Sequence, residues 1–147
     1  MSPKITSANS AEHYKWGGPQ QSSCDGWHLV KSPGLSIIEE LMPPDTSEIR
    51  HYHAHARQFF FVLEGEFTLE VKQHDYVLHP GEGIEVAPGD RHQAFNRSAT
   101  NVRILVTTGS DLAGFRVIDY LGVVRGIIVR SPNIGQSFVG ARSFTGR

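Results

Sequence analysis

The sequence predicts an all-β domain, a sandwich or barrel, and three observations lead to it. From residue 35 to about 107, short apolar runs are separated by turn residues at nearly every breakpoint. Within one such run Phe67, Leu69 and Val71 alternate with Thr68, Glu70 and Lys72, the period of two that a half-buried strand requires. No helical period is convincing anywhere in this stretch. At 147 residues the chain fits one ordinary domain with a buried core.

Residues 1–34 read as an N-terminal arm, because Gly17, Gly18, Pro19, Gly26, Pro33 and Gly34 break every period. Trp16 and Trp27 imply that the arm docks on the barrel or on a partner subunit, since free arms seldom carry large aromatic residues. The barrel core, residues 35–107, contains strands expected at Leu35–Met42, Ser47–His53, Gln58–Leu63, Glu66–Lys72, Tyr76–Leu78, Gly83–Val86, His92–Asn96 and Val102–Thr107. The run Phe59-Phe60-Phe61-Val62-Leu63 lacks polar alternation, so both its faces are expected to be covered, and a homodimer is one way to cover them. Residues 108–147 form a C-terminal extension, with strands expected at Val117–Ile118 and Gly122–Val129 before a poorly ordered end.

Composition narrows the function. The formal net charge is −1, which gives no field to recruit nucleic acid. The five arginines after residue 115 have no interleaved aromatic platform that would make a nucleic-acid surface. The first twenty residues lack the apolar core of a signal peptide, and no run approaches the roughly 20 apolar residues of a membrane span; a cytoplasmic protein is expected. Cys24 is the only cysteine, so a metal site must draw on histidine and on oxygen donors.

Those histidines are clustered. His51-x-His53 falls on an expected strand, where residues two apart point the same way about 6–7 Å apart along the axis. Gln58 follows on the next strand, which a hairpin would fold back beside them. By itself such a pair reads as two solvated surface histidines. The wider spacing changes the balance: four residues separate His53 from Gln58 and six separate Gln58 from Gly65, while Gly81, Pro88-Gly89, His92 and Asn96 follow in order.

Over residues 47–96 this pattern resembles the two motifs of the cupin superfamily, G-x5-H-x-H-x3–4-E-x6-G and G-x5-P-x-G-x2-H-x3-N. Two departures stand out: Gln58 replaces the usual Glu, and Ala87 the usual first Pro. The resemblance implies a jelly-roll barrel, the double-stranded β-helix of cupins, holding one divalent ion at His51, His53, Gln58 and His92. Imidazole suits Zn, Fe, Ni or Cu without choosing among them, and Mn is a further candidate. A neutral amide is a weaker donor than a carboxylate. Gln58 therefore either ligates weakly or leaves a three-histidine face with open positions.

Phe60, Val62, Val86 and Ala94 share parity with Gln58 or His92 and are expected to line the cavity, giving it an apolar wall. Trp27, Cys24 and the Glu39-Glu40 pair are candidates for the barrel mouth, against arm docking and a solvated strand edge as the plainer readings. His55 is expected exposed at the turn, and His13, His28, His74 and His79 solvated; Asn96 is expected to bond a turn, and Gly65 and Gly89 to take positive φ. The site implied by the resemblance suits a metalloenzyme on a small organic substrate. With a redox ion it would be a dioxygenase; with a Lewis acid, an isomerase or lyase. A ligand-sensing cupin with a structural metal is the competing reading, because a fold does not fix a function.

Overall fold

The computed structural model describes residues 2–17 and 23–109, and the strands expected at Val117–Ile118 and Gly122–Val129 lie outside them. The described residues form ten strands: β1 Glu12–Trp16, β2 Cys24–Ser32, β3 Leu35–Met42, β4 Thr46–Ser47, β5 Arg57–Glu64, β6 Phe67–Val71, β7 His74–Leu78, β8 Gly83–Val86, β9 His92–Asn96 and β10 Val102–Gly109. No helix occurs among the described residues, and so none is long and apolar enough to cross a membrane.

The strands form two antiparallel sheets, one in the order β1-β2-β3-β10-β5-β8 and the other β4-β9-β6-β7. Alternation explains which side chains meet between them. Phe60 and Val62 of β5, Ile104 and Val106 of β10 and Met42 of β3 point inward from the larger sheet, Phe67 and Leu69 of β6 and Ala94 of β9 from the smaller, and all are buried. The stacked rings of Phe60 and Phe67, 5.9 Å apart, join the two layers.

Four sequence expectations change here. Residues 24–32 were expected to be irregular, yet they form β2, the longest strand, with β1 beside it. A β-bulge between His28 and Val30 interrupts their pairing with β3, which hides the period from a pattern search. The strand expected at Ser47–His53 shrinks to Thr46–Ser47 plus a single bridge from His51 to His92. The cause is Glu48: its side chain, not its backbone, accepts the Ala94 N–H at 3.0 Å, so the ladder is interrupted without losing a hydrogen bond. The outer face of β5 stays open, with Phe59 42% and Leu63 40% exposed. Finally, Thr68 is buried, so β6 is wet only from Glu70 onward.

The turns behave as their residues dictate. Gly65, Gly81 and Gly89 have φ near +85°. At Gly65 a side chain would also meet the Asn101 carbonyl at 2.3 Å. Asn96 is buried and ties three segments: its amide donates to Met42 O and Thr100 O, both at 2.8 Å, while its oxygen accepts from the Ser98 backbone and hydroxyl.

Candidate metal centre

Three histidines converge at one end of the barrel. His51 is carried by its bridge to β9, His53 by the segment that follows, and His92 by the first position of β9, where it is 1% exposed. Their ring centroids lie 4.5 Å (His51–His92), 5.0 Å (His51–His53) and 5.7 Å (His53–His92) apart. One ligand atom from each falls within 4.8 Å of the others, and no carboxylate or thiol among the described residues joins this group.

Hydrogen bonds set the ring orientations. His51 Nδ1–H donates to Ile49 O at 2.8 Å and His92 Nδ1–H to Asp90 O at 2.9 Å, so in the neutral rings each Nε2 keeps its lone pair. Burial holds the His92 imidazole below its ordinary pKa, and the neighbouring His51 and His53 push the same way. His53 is lowered likewise, by burial and by His51. Its Nε2 is buried without a hydrogen-bond partner, an orphaned donor atom of the kind a cation would satisfy.

Gln58 belongs to this group. It is buried on β5, its Nε2 donates to Thr108 Oγ1 at 3.0 Å, and its Oε1 stands 2.9 Å from His92 Nε2. With Nδ1 carrying the ring proton, two lone pairs face one another across that gap, an arrangement a cation between them would stabilise. The residues present therefore fit a divalent ion, held by three imidazole nitrogens and one amide oxygen.

The remaining expected residues divide. Phe60 lies edge-on to His92 at 5.9 Å, Val86 pairs with Gln58 across β8 and β5, and Ala94 and Val62 are buried in the adjoining core. Trp27 is not in the cavity. It lies on the outward face of β2, against His13 at 5.4 Å and beneath the Arg103 guanidinium, because the interior parity on that strand belongs to Cys24, Gly26 and His28. Glu39 also faces outward, paired with Arg103 at 2.5 Å. His13, His55, His74 and His79 are exposed.

His28 and Glu40 correct the expectation of an apolar wall. Glu40 shares parity with Met42 and opposes the buried Ile104, so it points inward, where Tyr14 Oη donates to it at 3.2 Å. Desolvation, with the Glu48 charge nearby, pushes the Glu40 carboxyl up to about 8, and desolvation raises Glu48 to about 7. Glu48 Oε1 lies 4.0 Å from His51 Nδ1. His28, expected to be solvated, packs on the Tyr14 ring at 4.9 Å, its Nδ1 buried and without a hydrogen-bond partner. The bulged, irregular reading of residues 1–34 concealed the parity that places Tyr14 and His28 inside.

Comparison with known proteins bears on the fold. A family model of the cupin domain matches residues 38–108. Among solved structures, a sugar phosphate isomerase of the cupin superfamily from Silicibacter pomeroyi superposes with a TM-score of 0.64 at 21% identity, covering 74% of this chain and 76% of that one. A predicted oxalate decarboxylase from Thermotoga maritima gives 0.65 at 15% identity, covering 73% and 99%. A UPF0145 protein of Legionella pneumophila is 51% identical over 37 residues, 25% of this chain, and the match spans only 35% of that relative's length. The matched residues 38–108 contain all three histidines and Gln58, and the antiparallel sheets place them together: this part of the chain is a cupin domain.

Proposed function

We propose that this protein is a divalent-metal-dependent enzyme acting on a small organic substrate by acid–base chemistry of the isomerase or lyase type. The observation that supports it best is the set of three converging imidazoles, two of them oriented by backbone carbonyls that leave Nε2 to face the centre, with the Gln58 oxygen beside them. His51, His53, His92 and Gln58 would hold the ion, which when bound supplies a Lewis acid to polarise a substrate oxygen.

The chain's own residues do the rest. Phe60 and the core beneath it exclude water from one side of the centre. Gln58 supplies a neutral donor, so the ion keeps more of its positive charge than a carboxylate would leave it. Glu40 and Glu48 bring groups able to hold or release a proton near neutral pH, which favours proton transfer over oxidation. A homodimer is proposed as well, supported by the exposed Phe59 and Leu63 on the outer face of β5.

Metal analysis of untagged protein tests the centre. Wild type is expected to retain a stoichiometric divalent ion and the variant His51→Ala/His92→Ala to lose it; equal metal in both would sink the assignment. Turnover of hydroxy- and keto-acids or sugars by the metal-loaded protein then separates an enzyme from a ligand-sensing barrel.

A further inference from the structure

Apart from the three histidines and Gln58, the inner face of β1, β2 and β3 carries ionisable groups that metal binding does not use. Tyr14 comes from β1, crosses β2 over Gly26 and reaches Glu40 on β3. The crossing depends on Gly26 being bare, because a Cβ there would lie 2.2 Å from Tyr14 Cζ. From β2, Cys24 and His28 share this face, and Glu48 approaches from the segment after β4. β10 contributes only Val102, Ile104, Val106 and Thr108 to it. Among the described residues no lysine or arginine pairs with Glu40.

We propose that Glu40 and Tyr14 form an acid–base pair in the barrel interior, serving a small organic anion that extends from the three histidines to this wall. The inference rests on the metal-centre reading. A carboxyl drawn out of water on the barrel's inner side with no cation paired to it keeps its proton. Glu40 then presents an O–H to the interior with the Tyr14 phenol behind it, and such donors complement a ligand's anionic oxygen. Glu40 also remains partly accessible to solvent although it points into the barrel, as a group exchanging protons with a ligand must. In the transfer, the Glu40 O–H bond breaks, an O–H bond forms on the ligand oxygen, and the new carboxylate is held by the Tyr14 hydroxyl. Reversal returns the proton. Tyr14 positions Glu40 and stabilises its charged form.

Two measurements test this. In metal-free protein, infrared difference spectra between pH 6 and pH 10 are expected to show, beside the Glu48 carboxyl with its midpoint of about 7, a protonated carboxyl with a midpoint of about 8 that disappears in Glu40→Gln. Its midpoint should move upward in Tyr14→Phe, because the phenol favours the carboxylate. Identical spectra in wild type and Glu40→Gln would overturn the pair. In zinc-loaded protein, calorimetric titration with malonate, succinate and glutarate is expected to find at least one that binds. Above that midpoint its affinity should fall about tenfold more per pH unit in wild type than in Glu40→Gln, the slope of one coupled proton. Binding of none, or equal slopes in both proteins, overturns the proposal. Failure to take up any divalent metal would instead sink the metal centre, leaving the infrared result to decide the pair.

Discussion

At the scale of single residues, Gln58 is the most informative departure from the cupin motifs. Its amide oxygen already stands 2.9 Å from His92 Nε2, so Gln58→Glu places a negative charge where the cation is expected. Metal affinity should rise about tenfold, equivalent to about 1.4 kcal/mol, by isothermal titration; an unchanged affinity would place the side chain outside the coordination sphere. Asn96 shows the opposite kind of importance. Truncating Asn96→Ala strands the buried Met42 carbonyl and loosens the Ser98–Thr100 turn, with an expected cost of about 1–3 kcal/mol in chemical denaturation and no direct effect on metal affinity. Its role could be read in the sequence because a buried Asn near Ser and Thr is a turn-former. Glu40 could not, because an adjacent pair of glutamates shows alternation but not which member faces inward.

At the scale of elements, backbone geometry decides what the side chains can reach. Gly26→Ala should push the Tyr14 ring off β2 and remove its bond to Glu40, so this variant should reproduce the raised Glu40 midpoint of Tyr14→Phe while leaving metal content intact. Gly65→Ala meets both a positive φ and the Asn101 carbonyl, and is expected to lower stability by about 2 kcal/mol or more in a denaturant melt. All ten described strands pair antiparallel with a neighbour, yet the sequence marked the irregular segment before β5 as a regular strand. The substitution of the Glu48 carboxylate for a backbone acceptor has no signature in a hydrophobic pattern. Asp45 is similar: its φ of 60° puts a residue other than glycine in the left-handed region, which no hydrophobic pattern announces.

At the scale of the whole molecule, the ionisable interior sets the pH range of stability. The folded-state values of Glu40 and Glu48 lie above their ordinary range, so the folded protein favours their protonated forms. That contribution is complete below the ordinary carboxylate value near 4.5, and is lost as pH rises through about 7 and about 8. His53 and His92 act from the other side: their folded pKa values are depressed, so stability falls as pH drops through the ordinary imidazole range. Thermal melts of the metal-free protein should therefore show an alkaline decline that is shallower in Glu40→Gln than in wild type. Parallel declines would mean that Glu40 titrates normally.

The sequence by itself determined the all-β class, most strand positions and the identity of the three histidines, because strand parity and motif spacing are local properties that survive without coordinates. It also marked Gln58 as the departure from the motif. Only the tertiary structure decided that Gln58 turns its oxygen to His92, that Trp27 faces outward and that Tyr14, His28 and Glu40 face inward. Those outcomes depend on which strands become neighbours and on a bulge and a bare glycine that set the parity of β2, and neither is encoded in the hydrophobic period of any one segment.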